Sequence, residues 1–186
     1  MKLYALLDYE TLIKKKWTIE KFILTCEVLH VKIIQYRDKQ GERARKIENL
    51  KLIKSLCDII LLVNDEVELV EFCDGLHVGQ EDLQQIATCK KDAIANIRQK
   101  IGRKILGVST HNKEEILEAN SLDINYIGLG AYRATNTKDD VTVLKENLSE
   151  MARFSLKPVG AIGGVRVDDN IKGVSFLVVG SNLYEY

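Results

Sequence analysis

Proline occurs once in this 186-residue sequence, as Pro158, and no proline- or glycine-rich stretch marks a linker. With 29% charged residues and 46% hydrophobic ones, a disordered or low-complexity chain is excluded, and one folded domain over residues 1–186 is expected. Cysteine is sparse and unpaired in pattern. Cys26, Cys57, Cys73 and Cys89 form no Cys-x-x-Cys, which argues against a zinc knuckle or a redox motif and predicts buried free thiols. Neither sign of charge is in excess: 27 Lys and Arg balance 27 Asp and Glu, so no overall field draws the molecule to nucleic acid or to an anionic bilayer. Any preference for phosphate must come from local placement. The basic runs Lys14–Lys16 and Arg43 to Lys54 lack interleaved aromatics and read as solvated faces, so no nucleic-acid partner is expected. No run approaches eighteen apolar residues, and the opening Met1 to Leu7 is too short for a signal h-region. A cytoplasmic protein without a membrane segment is expected.

What is present is alternation. Leu3–Leu7, Val31–Ile34, Ile59–Val63, Leu76–Val78, Ile105–Val108, Tyr126–Leu129, Val159–Ile162 and Phe176–Val179 are short apolar runs suited to strands. Helical spacing lies between them, as in Ile19, Phe22, Ile23, Cys26 and Leu29, in Ile47, Leu50 and Ile53, and in Val141, Leu144, Leu148 and Met151. Eight strand-then-helix units predict a (β/α)8 TIM barrel, with a doubly wound open sheet as the alternative. Such barrels usually take about 250 residues, so every connection here must be short. Val165–Ser175 is shorter than the dozen or so residues a parallel crossover needs, which predicts a shortened seventh crossover. After the eighth run only a few residues follow, too few for a full C-terminal helix. The surface left bare predicts a second subunit, hence a homodimer.

In a barrel of this kind chemistry belongs at the carboxyl ends of the strands. On the second strand Val31, Ile33, Gln35, Arg37 and Lys39 share one face, apolar below and polar above. The third strand ends in Asn64-Asp65, and the fourth in Gly79-Gln80-Glu81-Asp82. Ser109-Thr110-His111 ends the fifth, and the sixth leads into a loop containing Arg133, Thr135, Thr137 and Lys138. Gly163-Gly164 and Gly180-Ser181 end the last two.

This ordered set resembles the thiamine phosphate synthases, over most of the chain. Their pattern of Gln-x-Arg-x-Lys, Asn-Asp, Asp-Gly-x-His-x-Gly-Gln-x-Asp, Gly-x-Ser-x-His, Thr-x-Thr-Lys and Ile-Gly-Gly is met by Gln35 to Lys39, Asn64-Asp65, Asp74 to Asp82, Gly107 to His111, Thr135 to Lys138, and Ile162 to Gly164. The resemblance implies transfer of a hydroxymethylpyrimidine group from its pyrophosphate to a thiazole phosphate, by departure of pyrophosphate and attack of the thiazole nitrogen on a pyrimidine methylene cation. A diphosphate leaving group calls for cations and a hard metal. Arg37, Lys39 and Lys138 supply the first, and Asp65 and Asp82 offer oxygens suited to Mg2+. Asn64, Ser109, Thr135 and Thr137 would complete that half of the site. The resemblance puts the pyrimidine on Gln35 and Ser109, and the thiazole phosphate on Gly164, Gly180 and Ser181. Catalysis would rest on Arg37, Lys39, Lys138 and Ser109.

Each assignment has a plainer competitor. Asp65 and Asp82 could be helix N-caps. His77, inside an apolar run, reads as a structural histidine, and His30 carries no signal. His111 matches a histidine of the synthases that is also found in the related thiazole tautomerases, where it resembles the proton-transfer residue. Where the family carries prolines this chain has Ala131 and Ala134, which predicts a looser loop, and Arg133 has no evident role. A tautomerase, or a barrel that binds thiamine phosphates without turnover, are the alternatives to the synthase.

Overall fold

Eight parallel strands form where the apolar runs lie: β1 (Lys2–Asp8), β2 (Ile33–Arg37), β3 (Ile60–Asn64), β4 (Gly75–Val78), β5 (Ile105–Thr110), β6 (Tyr126–Leu129), β7 (Val159–Ala161) and β8 (Phe176–Val179). Each pairs with the next, and β8 pairs back onto β1 through Lys2–Phe176 to Ala5–Val179. That closure makes a (β/α)8 barrel and excludes the open sheet. The structure is a computed structural model and describes residues 1–134, 143–144 and 147–186. The expected site residues Thr135, Thr137 and Lys138, and Val141 of the last helical pattern, lie outside the described residues.

Among the described residues seven α-helices surround the strands: α1 (Tyr9–Lys14), α2 (Ile19–Val28), α3 (Arg43–Leu56), α4 (Gln80–Ile86), α5 (Lys90–Ile101), α6 (Lys113–Asn120) and α7 (Asn147–Ala152). Capping side chains set the starts of α1, α2 and α6. Asp8 accepts from Thr11 N (3.0 Å), Thr18 from Lys21 N (3.2 Å) and Asn112 from Glu115 N (2.8 Å). In α2, Ile19, Phe22, Ile23 and Cys26 are all buried, as their three- and four-residue spacing predicts.

Two crossovers are not α-helical. β3 reaches β4 through a 3-10 helix (Val67–Phe72), because residues 65–74 leave too little chain for a full helix and its return. β7 reaches β8 without any helix, the shortened crossover expected from the sequence. A second 3-10 helix (Ser181–Glu185) follows β8. That turn lays Tyr184 against Trp17 and Phe22, with ring centroids 5.0 and 5.7 Å apart, and so covers part of the seam beside β1.

Alternation along each strand divides the core. Ala5, Leu7, Ile34, Leu61 and Leu76 point outward to the helices, while Tyr4, Ile33, Leu62, Tyr126 and Val178 fill the barrel interior. One expectation fails at the foot of β2. Val31 precedes the strand and packs with the outer layer, so the inward face of this segment starts at Ile33. The thiols of Cys26, Cys57 and Cys73 are buried and free, whereas Cys89, just ahead of α5, is exposed. Among the described residues no helix is long and apolar enough to cross a membrane.

Candidate active site

A cavity of about 650 Å³ opens at the carboxyl ends of the strands. The pleat of β2 turns Gln35 and Arg37 into it, and Lys39 follows on the same side. Asn64 and Asp65 enter from β3, Ser109 and His111 from β5, and Gly164, Gly180 and Ser181 from the last two strands. Most of the expected site thus meets in one bowl. Asp82 differs in placement. It lies in the first turn of α4 and lines an adjoining cavity of about 430 Å³, which it shares with Asp65.

Neither carboxylate is an N-cap. Asp65 precedes the 3-10 helix by two residues and adopts φ +61°, a left-handed backbone that asparagine, aspartate and glycine tolerate best. This conformation aims its carboxylate back across the strand ends. Oδ1 accepts from Gly79 N at 3.0 Å, and Oδ2 accepts from the Asn64 amide. Asp82 approaches the same glycine, since a methyl group on Gly79 would lie 2.8 Å from Asp82 Oδ2 and 3.9 Å from Asp65 Oδ1. Burial and the neighbouring Asp82 together push the Asp65 carboxyl above its usual range, opposed by the Gly79 N–H, by Lys39 and by the Asn64 amide. A pair of partly desolvated carboxylates is a natural seat for a hard cation. Among the described residues no group of three or more His, Cys, Asp or Glu is placed to hold a metal. Mg2+ is commonly bound by one or two carboxylates, its shell completed by water and phosphate oxygens, and Asp65 and Asp82 would be such a pair.

Positive charge faces this corner. Lys39 lies near enough to Asp65 to lower its affinity for a proton. Arg37 is ion-paired to Asp8 at the end of β1, a partner that sequence reading missed because Asp8 closes an apolar run. Lys14 and Lys15, read from the sequence as a solvated run, also line the cavity. Their position at the C-terminal end of α1 brings them back over the strand ends, which only the folded barrel reveals.

On the opposite side, Gly163 and Gly164 take φ of +87° and +65°. A Cβ on Gly163 would sit 2.5 Å from the Ala131 methyl, and one on Gly164 2.7 Å from Arg133 Cβ, so bare backbone is required at both. Arg133 now has a role. Its guanidinium makes paired bonds to Asp169 (2.6 and 2.7 Å), donates to Gly164 O (2.8 Å) and stacks on Tyr132. Tyr132 N and Arg133 N also donate to Ile162 O and Gly163 O, both at 2.8 Å. The described start of the strand-six loop is therefore fastened to the helix-free crossover.

His111 is half-exposed and held by Glu115, whose Oε2 accepts from His111 N at 2.7 Å and lies 3.1 Å from Nδ1. His77 is the satisfied histidine expected, bonded to Tyr126 Oη at 2.8 Å and Ser109 Oγ at 3.0 Å. Burial pushes its imidazole down to about 4. The unfolded chain takes up this proton near pH 6.5 and the folded one only near pH 4, so stability falls as pH drops through that window. The loss is at most about 3 kcal/mol. Urea unfolding at a series of pH values will show it, and His77→Gln will flatten the profile between those limits.

Sequence comparison agrees with the geometry. The family profile of TMP-TENI, thiamine monophosphate synthase, matches residues 11–176. A thiamine-phosphate synthase of Persephonella marina is 36% identical over 72% of this chain and 63% of its own length. One from Clostridium perfringens is 33% identical over 95% of this chain and 86% of its own. The chain spans less than two thirds of the Persephonella relative, and 38% of a Synechococcus relative that is 33% identical. A solved thiamine phosphate pyrophosphorylase from Pyrococcus furiosus superposes with a TM-score of 0.79 over 99% of this chain and 90% of its own, at 22% identity, which speaks to the fold. With the matched segment running from α1 to the first residue of β8 and taking in β2 to β7, this chain belongs to the thiamine monophosphate synthase family.

Proposed function

We propose that this protein is a thiamine phosphate synthase, joining the hydroxymethylpyrimidine group of its pyrophosphate ester to thiazole phosphate with release of pyrophosphate. The observation that carries the reading is the convergence of Arg37, Lys39, Asn64 and Asp65 on one side of a single cavity, facing bare glycine backbone at Gly164 and Gly180 on the other. One side suits a diphosphate and the other a phosphate monoester.

Arg37 and Lys39, with Lys138 from the strand-six loop, hold the pyrophosphate and meet the charge that grows on it as the C–O bond breaks. Asp8 orients Arg37 through its ion pair, so the guanidinium is pre-placed. Asp65 and Asp82 would hold Mg2+, whose chemistry when bound is to neutralise negative charge on the departing group. Gln35 and Ser109 grip the pyrimidine, and Asn64, Thr135 and Thr137 add neutral contacts beside the diphosphate. The amides near Gly164 and Gly180, with Ser181, hold the thiazole phosphate so that the ring nitrogen faces the methylene carbon.

Incubation with pyrimidine pyrophosphate and thiazole phosphate, with and without Mg2+, tests this. Metal-dependent thiamine phosphate and free pyrophosphate are expected. Metal-independent isomerisation of the thiazole carboxylate phosphate that His111→Ala abolishes would replace the reading with a tautomerase. Binding without product would leave a non-catalytic barrel. Lys138→Ala is expected to lower turnover about 10²- to 10³-fold, the usual effect of deleting one such donor. Near-normal turnover would remove Lys138 from the site.

The reading extends to a cytoplasmic homodimer. Leu24 and Val28, four residues apart on α2, are 61% and 69% exposed and offer an apolar strip for a second copy. Sedimentation equilibrium at micromolar concentration is expected to give twice the chain mass, and a monomer would remove the dimer.

A further inference from the structure

Six of the eight strands contribute to one hydrogen-bonded chain across the floor of the cavity. Ser109 Oγ lies 3.0 Å from His77 Nε2, and His77 Nδ1 lies 2.8 Å from Tyr126 Oη. Tyr126 Oη is 2.9 Å from Tyr4 Oη, which is 2.6 Å from Gln35 Oε1. Gln35 Nε2 is 2.6 Å from Asn64 Oδ1, and Asn64 Nδ2 contacts Asp65 Oδ2. Tyr4, Gln35, His77 and Tyr126 are buried, so each of their protons along the chain must be spent on a neighbour, while Ser109, Asn64 and Asp65 at its two ends are only partly covered.

The carboxylate at one end fixes the direction of every link. Asp65 only accepts, so Asn64 turns its NH2 toward it and its oxygen toward Gln35. Gln35 must then give its NH2 to Asn64 and its oxygen to Tyr4. The Tyr4 proton is thereby committed, so the Tyr126 hydroxyl donates to Tyr4 and its oxygen is left to accept. Neutral His77 fills that need with Nδ1–H, which leaves Nε2 bare. Ser109 therefore donates inward to His77.

We propose that Tyr4, Tyr126 and His77 are positioning residues that commit the Ser109 proton inward and so present Ser109 to the ligand as an acceptor only. A ligand group resting on Ser109 must then carry a proton, as an exocyclic amine does. An oxo group in the same place would set lone pair against lone pair. Gln35, with one N–H spent on Asn64, retains the other for an acceptor. This selects an aminopyrimidine over its oxo counterpart, and for the identity of that ligand it rests on the synthase reading above.

The ring nitrogens of His77 in uniformly folded, 15N-histidine-labelled protein provide the direct test, with the signal assigned by its loss in His77→Gln. Protonated Nδ1 and bare Nε2 are expected at neutral pH, and a proton on Nε2 overturns the proposal. Tyr126→Phe removes the acceptor of Nδ1–H, so the proton is expected to move to Nε2 and free the Ser109 hydroxyl to donate outward. The preference for 4-amino- over 4-oxo-5-hydroxymethylpyrimidine pyrophosphate in binding should then fall about ten- to hundredfold, while affinity for inorganic pyrophosphate stays within about twofold. Unchanged selectivity in a folded Tyr126→Phe overturns the proposal, and if that variant does not fold, the wild-type ring decides. Wild-type protein that shows Nδ1–H yet turns over neither pyrimidine supports the chain's direction and counts against the synthase reading alone.

Discussion

Asp65→Asn is expected to lower Mg2+-dependent formation of thiamine phosphate about 10²- to 10³-fold and to raise the Mg2+ concentration at half-maximal rate, with the barrel intact. The substitution isolates charge from shape. Asparagine accepts the left-handed backbone that residue 65 requires, so the turn after β3 is undisturbed. Its single oxygen can satisfy either Gly79 N–H or the Asn64 amide but not both, a loss of about 1 kcal/mol against the removal of a full charge facing Lys39. Steady-state rates across a Mg2+ titration, beside a thermal unfolding curve, separate the two effects. Near-normal rates at low Mg2+ would take Asp65 out of the metal site.

Gly107→Ala is expected to destabilise the fold by about 3 kcal/mol, at the upper end for overpacking, and to lower the melting temperature by about 6–12 °C. The α-carbon of Gly107 faces the Tyr126 ring across the β5–β6 pairing, and an added methyl group would overlap that ring. Tyr126 cannot retreat, since Tyr4 and Phe176 pack against it and His77 is bonded to its hydroxyl. The motif glycine thus makes room for the central aromatic of the floor. In Gly107→Ala with Tyr126→Leu most of the penalty specific to the alanine should vanish, because the overlapping atoms are gone. Additive losses in that double variant would mean that the clash is not the cause.

These two positions show which parts of the molecule could be read from the sequence. Asp65 stood out because it ends an apolar run just where alternation turns polar, and strand ends are set by local pattern. Gly107 could be seen as part of a motif, but its partner Tyr126 read only as a strand residue. The neighbour that makes the glycine necessary appears once β5 pairs with β6. The same limit hid the hydrogen-bonded floor. Tyr4, Gln35 and Tyr126 lie on strands far apart in sequence, and closing the barrel is what brings their tips together. Lys14 and Lys15 looked like a charged surface run, since nothing local says that α1 returns them to the cavity mouth. Arg133 acquired a role only when the crossover after β7 placed Asp169 beside it.

The crossover without a helix has a consequence for how the fold comes apart. β7 meets β8 at two register positions, whereas β1 meets β2 at five, and no helix backs the loop between β7 and β8. Fraying will start at this seam, where the least surface is lost on separation. The thiazole side of the bowl therefore breathes while the diphosphate side, on β2 and β3, stays shut, and a bound phosphate ester that bridges the glycines acts as a staple across the weakest join in the ring.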